Sequence, residues 1–337
     1  MTHSAENTAS AGATLNSVTF QMFIVRYSRW IFLFILLVFF SVASDTFWGL
    51  TNWTNIANIA SIQVPFLIIL TLGMNLTIIL RGFDLSVGSN LAMSSCITAL
   101  CLEAGMNVAL SILIGLAFGT LVGITNGVLI GVIGVSPFIA TYSMSWIIRG
   151  VAYLLLAGRQ IYNLGDTFVP LFTSNRWTFF IIAIAVAVVL WFIMTKTVFG
   201  RSFYLAGRNF EAVSLSGYSV QKITIIVYAI SGCLAALAGI LYVADLSCAE
   251  PTIGEDFPLQ AVAAALIGGT SFIGGEGSVF NAIVGSFVLM VIMNGMIQMG
   301  VPNLWQQFVI GVIIILSLVI ELGTARIEKN ISKVLYS

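Results

Sequence analysis

The chain has 337 residues, 59% of them hydrophobic and only 8% charged, with a formal net charge of zero. An ordinary soluble domain carries roughly 25% charged residues, so this composition excludes a water-exposed surface of normal size. The zero balance also lacks the basic face that a nucleic-acid partner requires, and none is expected.

Residues 1–28 read as a polar cytoplasmic tail. The apolar run at 29–47 has no convincing small-residue cleavage site and is expected to be a retained first helix rather than a removed signal. About 20 apolar residues cross a bilayer. Full-length spans are predicted at 29–47, 62–80, 108–132, 138–157, 178–195, 223–244, 279–299 and 304–321. Two shorter apolar stretches, 87–102 and 259–272, read as tilted, re-entrant or broken helices. That makes about ten segments over 29–322, followed by a second cytoplasmic tail at 323–337.

Orientation follows from the basic residues, which concentrate in cytoplasmic loops. With both termini inside, Arg26, Arg29, Arg81, Lys196, Arg201, Arg208, Lys222, Arg326, Lys329 and Lys333 fall on or near the cytoplasmic side. Arg159 and Arg176 fall outside, and Arg149 lies within a span. The outer loop 245–258 instead carries Asp245, Glu250, Glu255 and Asp256.

An internal repeat supports the same count. Thr71-Leu-Gly-Met-Asn75 leads to Gly82-Phe-Asp-Leu-Ser86, a short segment, a helix ending in Asn126-Gly127, and another helix. Ile230-Ser-Gly-Cys-Leu234 leads to Gly254-Glu-Asp-Phe-Pro258, a short segment, a helix ending in Asn294-Gly295, and a last helix. Two halves of opposite orientation, each with one short segment, are what inverted-repeat transporters show.

Gly115, Gly119, Gly123, Gly127 and Gly131 recur every fourth residue, a bare face for close helix packing. Arg81, Gly82, Asp84, Ser86, Gly88 and Ser89 place opposite charges at the inner edge of the membrane, before a short helix that Asp84 or Ser86 can cap. The glycine-rich stretch from Gly268 to Ser278 resembles a phosphate cradle but lacks the Gly-Lys-Ser/Thr ending, and no ATP site is expected in this chain. Within the inner loop 196–222, Asn209 is placed to cap a helix over 210–216, with Gly217 as its left-handed C-cap. Such a segment suits the membrane surface or a groove of a soluble partner. Asn75, Asn90, Asn126, Asn294 and Gln298 are polar residues in apolar segments, suited to a substrate path or equally to helix–helix hydrogen bonds. Cys96, Cys101, Cys233 and Cys248 lack metal spacing and read as packing residues. His3, the single histidine, lies in the polar tail, so no metal site, His-based triad or cofactor is expected.

The loop Gly207-Arg-Asn-Phe-Glu-Ala-Val-Ser-Leu-Ser-Gly217 resembles the inner-loop motif of ribose/galactose/xylose-type ABC transporter permeases. Arg81 to Ser89, Ala261 to Ser278 and Trp305-Gln-Gln-Phe308 are similar to three further hallmarks, in the same order, across roughly residues 50–322. Two positions depart from the pattern. Glu276 stands where many relatives have a basic residue, and Phe83 where isoleucine is common. The resemblance implies an all-α importer subunit of the bacterial inner membrane. Its partners would be an ABC ATP-binding subunit, a periplasmic sugar-binding protein and a second permease copy, identical or related, within membrane lipid. It implies docking on the ATP-binding subunit through Gly207, Arg208, Asn209, Glu211, Ala212, Ser214 and Gly217. Glu255 and Asp256 are expected to touch the binding protein. Permeases for branched-chain amino acids or cobalamin are relatives, and the Gly82-Phe-Asp-Leu-Ser version fits sugars better. An ion-coupled secondary transporter is the alternative; an intramembrane enzyme lacks a catalytic set in the spans.

Overall fold

A computed structural model describes residues 30–44, 47, 54–302 and 304–319. The predicted tails lie outside these residues, together with Arg26, Arg29, Arg326, Lys329 and Lys333.

The described chain is helical: α1 (Trp30–Ala43), α2 (Thr54–Ile79), α3 (Val87–Glu103), α4 (Val108–Gly131), α5 (Pro137–Leu156), α6 (Phe168–Thr173), α7 (Thr178–Lys196), α8 (Val198–Arg208), α9 (Phe210–Leu215), α10 (Val220–Leu246), α11 (Phe257–Ile267), α12 (Val279–Gln298) and α13 (Leu304–Val319). Six of them, α2, α4, α5, α7, α10 and α12, are long and apolar enough to cross a membrane. The bounds of the ten predicted segments fall within a few residues of these helices, with one larger difference. Helix α2 starts at Thr54, not 62, and its first turns contain a π-helical stretch, Ile59–Gln63. Asn55, Asn58 and Gln63 make that stretch too polar to read as a span, and the fold satisfies them with partners from α12 and Arg176.

Every residue of α2 from Val64 to Ile79 is buried. A helix apolar on all sides belongs at the centre of a bundle, and α2 is packed by α7, α10, α11 and α12. Around it, α10 lies along α4 with almost no side chains between them. A methyl group on Gly123 would come within 2.1 Å of the Tyr228 carbonyl oxygen, and one on Gly127 within 2.5 Å of the Ile225 Cα. The four-residue glycine spacing therefore forms a backbone-on-backbone seam, as expected for close helix approach.

The two short helices meet at their starts. A Cβ on Gly88, in the first turn of α3, would lie 2.2 Å from the Gly254 carbonyl oxygen and 2.9 Å from Pro258 at the start of α11. The hairpin 80–86 reaches this level by turning back into the bundle. Arg81 remains at the end of α2, whereas Asp84 hydrogen-bonds Ser231, the residue that also packs on Gly73. Gly73 lies six residues before Ile79, about 9 Å along the helix. Asp84 is thus 1% exposed and inside the bundle rather than at its rim.

Candidate functional site

Three separate stretches of sequence close on one another where α2 ends. The last free carbonyls of α8 belong to Gly207 and Arg208, and Arg81 caps both. Its Nε donates to the Gly207 oxygen at 2.5 Å and its Nη2 donates to the Arg208 oxygen. A guanidinium is suited to this place, because helix C-termini carry exposed carbonyls and partial negative charge. The same guanidinium lies 5.8 Å from the centre of the Phe210 ring. Arg81 itself has φ +61°, a left-handed conformation that costs a non-glycine residue about 1 kcal/mol or more. The surrounding contacts hold it there.

The third stretch is the glycine loop after α11. Gly275 N donates to the Ile79 carbonyl at 2.8 Å, and the Tyr204 hydroxyl donates to the Gly277 carbonyl at 3.0 Å. Gly207 has no room for a side chain, since its Cβ would lie 1.9 Å from the Ile79 oxygen and 2.6 Å from Gly275 N. Arg208 and Glu276 pair at 3.0 Å on the exposed side, so the unusual acid at 276 is matched within the chain. The motifs at 81–89, 207–217 and 268–278 therefore form one node. Its centre, Arg81 with Gly207 and Gly275, was not foreseeable from the separate motifs.

Helix α9 projects from this node. Asn209 Oδ1 accepts from Glu211 N at 2.9 Å and Ala212 N at 3.1 Å, and Gly217 has φ +84°. Both capping expectations hold. Glu211, Ala212, Ser214 and Gly217 are exposed, and Leu215 at the tip is 90% exposed. An open groove of about 460 Å³ runs beside α9, lined by Phe210, Glu211, Ser214, Ser219, Val220 and Gln221.

Deeper in the bundle, Asp84 accepts from Ser86 Oγ at 2.5 Å, Ser86 N at 3.1 Å and Ser231 Oγ at 2.8 Å. Asp84, rather than Ser86, supplies the oxygen that meets a backbone N–H ahead of α3. Asn126 donates to Ser86 Oγ at 2.8 Å, linking α4 to the same group. Asn90 donates to the carbonyls of Gly119 and Gly232, both at 3.1 Å, and so stitches the glycine seam. Gly88 is pressed against Gly254, and Ser89 is buried beside them. Asn75 Oδ1 accepts from Thr270 Oγ1 at 2.5 Å, tying α2 to the glycine loop.

At the opposite end of α2, Asn294 and Gln298 join a network that sequence reading split apart. Asn55 donates to Asn294 at 2.8 Å, Asn294 to Gln63 at 3.1 Å, and Gln298 to Asn55 at 3.4 Å. The five polar residues thus occupy several places, and each makes a hydrogen bond to another helix or loop. Glu255 and Asp256 are exposed, in the loop that leads into α11. Arg149 of α5 holds that loop through the carbonyls of Pro251 and Ile253, the latter at 2.8 Å. Gln307 donates to Asp256 at 3.0 Å, bringing the Trp305-Gln-Gln-Phe308 motif to the same place. Residues 159–161 close over this end: Arg159 pairs with Glu103 at 2.8 Å, and Ile161 and Ala249 exchange two 2.9 Å backbone bonds.

Long apolar helices around a central buried one, two shorter helices meeting inside, and an exposed capped helix at one end describe a membrane-spanning helical bundle. Residues 55–318 match the family described as the branched-chain amino acid transport system permease component, and the chain belongs to that family. It is 34% identical to the ribose import permease protein RbsC of Escherichia coli (strain K12), over 86% of this chain and 91% of the relative. It is 33% identical to the D-allose transport system permease protein AlsC of the same organism, over 90% and 93%. It is 31% identical to the autoinducer 2 import system permease protein LsrC of Photorhabdus laumondii, over 88% and 89%. No solved structure matches the chain.

Proposed function

We propose that this chain is the membrane-spanning subunit of an ATP-driven importer in the bacterial inner membrane, carrying a monosaccharide or a related small polyol. The observation that carries the reading is the node at the end of α2, from which the capped, exposed helix α9 extends in a chain similar to ribose and allose permeases. Phe210, Leu215 and Tyr218 are exposed together on and beside this helix, an apolar group suited to a docking partner, and an ATP-binding subunit is that partner. Arg208, Asn209, Glu211, Ala212, Ser214 and Gly217 form its contact surface, and hydrolysis takes place in the partner. Gly207, expected from the sequence to join them, is instead buried behind that surface against Ile79 and Gly275.

In this reading both termini and α9 face the cytoplasm, and the chain makes about ten membrane segments. The meeting of α3 and α11 at their first turns, after hairpins entering from opposite ends, supports an inverted pair of halves. The loop with Glu255 and Asp256 then faces outward, where it contacts the periplasmic binding protein. A second permease copy completes the pathway.

The test is a detergent pull-down with the chain as bait, followed by mass spectrometry. Recovery of an ATP-binding subunit supports the reading, and loss of that subunit from a Glu211→Arg variant, which leaves the Arg208–Glu276 pair intact, assigns the contact to α9. A preparation that stays free of any ATPase after mild crosslinking, with uptake that survives ATP depletion, would instead favour a self-sufficient transporter.

A further inference from the structure

Helix α5 is the least apolar of the six long helices, and most of its surface is uncovered. Its uncovered surface mixes aliphatic residues such as Ile139, Ile147 and Leu154 with one ordered aromatic stripe. Phe138, Tyr142 and Trp146 stand four residues apart, on one stripe of the helix, and are 55%, 47% and 65% exposed. The Phe138 and Tyr142 rings stack at 5.7 Å with 8° between their planes, and Trp146 meets Tyr142 edge to face at 6.3 Å.

This stripe is a poor surface for lipid. Tyrosine and tryptophan favour the membrane–water interface, where the hydroxyl or indole N–H reaches polar partners. Trp146 is the tenth residue of the 20 in α5, its midpoint. Among the described residues, nothing hydrogen-bonds the Tyr142 hydroxyl or the Trp146 indole. The stripe is equally unlike a tight helix–helix contact, which calls for small side chains. Rings with a polar edge do suit a sugar. Its C–H face lies against the negative face of an aromatic ring, and its hydroxyls reach the phenol and indole at the edge.

The neighbours of the stripe tie it to both sites already described. Thr141 accepts from Leu85 N at 3.1 Å and donates to the Phe83 carbonyl at 3.2 Å, and Pro137 packs on Gly82. Those residues continue directly from Arg81 in the node. Arg149, one turn beyond Trp146, holds the loop that carries Glu255 and Asp256. Helix α5 is therefore anchored at one end to the hairpin of the docking node and at the other to the loop of the opposite face.

We propose that the Phe138–Tyr142–Trp146 stripe of α5 is a sugar-contacting surface of the translocation path, taking the apolar ring face of the cargo. This rests on the permease reading. The test uses the complete importer in proteoliposomes, with labelled ribose and allose as probes. Trp146→Leu and Tyr142→Leu keep the helix apolar and are expected to lower sugar moved per ATP hydrolysed about tenfold, the scale of one lost aromatic contact. Assembly and binding-protein-stimulated ATPase activity should persist, and Trp146→Phe should restore most of the transport. Leucine variants that transport like the wild type would place the stripe against lipid and overturn the proposal. Leucine variants that fall apart into separate subunits on size-exclusion chromatography would overturn it too, making the stripe the contact with the second copy. Wild-type liposomes that take up sugar without ATP, or in which no ATP-binding subunit assembles with the chain, would instead sink the importer reading itself.

Discussion

Arg81 donates to the carbonyl of Gly207 across 126 positions of sequence, at 2.5 Å, and in doing so caps the helix that precedes α9. The residue that follows the central helix thus fixes where α9 begins. Replacing Arg81 with alanine leaves two helix-end carbonyls uncapped and Phe210 without its cation. Coupling should suffer more than folding: binding-protein-stimulated ATPase activity falls several-fold, while the Tm in detergent changes little. Lysine offers one compact ammonium in place of a planar fork and should recover only part of the coupling. An Arg81→Ala complex with unaltered stimulation would remove the cap from the mechanism.

Gly207 and Gly217 bracket α9 for opposite reasons. Alanine at 207 drives a methyl into two backbones, so the node must open, and loss of complex assembly is expected. Alanine at 217 meets open space and bears only the left-handed backbone strain, about 1 kcal/mol. Co-purification of the ATP-binding subunit with each variant reads the difference; equal retention would show that the node tolerates separation.

Along the glycine seam, alanine substitutions should be graded by depth of contact. Gly123→Ala places a methyl 2.1 Å from a carbonyl oxygen, whereas Gly131→Ala meets its nearest atom at 3.1 Å. Overpacking of this kind costs roughly 1–3 kcal/mol, so Gly123→Ala should lower the detergent Tm clearly and Gly131→Ala only slightly. A reversed order in a thermal-shift series would contradict the packing described.

Asn294→Leu removes the central member of the Asn55–Asn294–Gln63 network. Hydrogen bonds between membrane helices average about 0.6 kcal/mol, and two are lost here, so a drop of about 1 kcal/mol is expected. Unfolding measurements in detergent check it. Transport should fall little if the network only joins α2 to α12, and steeply if the pathway passes beside it.

Much of this arrangement is legible in the residues themselves. The long apolar runs set the spans, the four-residue glycine spacing sets the seam, and Asn209 with Gly217 sets the ends of α9. What the sequence conceals is long-range. Polar Asn55, Asn58 and Gln63 hide the first turns of α2, because their partners lie more than 100 residues away. Asp84 reads as an edge charge, since nothing local shows that Ser231, 147 positions on, joins Ser86 in satisfying it inside the bundle. The stripe on α5 is visible as aromatics at four-residue spacing, but only the fold shows that this side is left uncovered.

The α4–α10 contact has one more consequence. Where Gly123 and Gly127 meet Tyr228 and Ile225, backbone rather than side chains sets the spacing of the two helices. Asn90 adds a polar link across it. Its amide grips one carbonyl on each helix, and any slip has to release both before the next pair of oxygens comes within reach. One side chain thus holds the register of two helices whose contact is otherwise largely backbone.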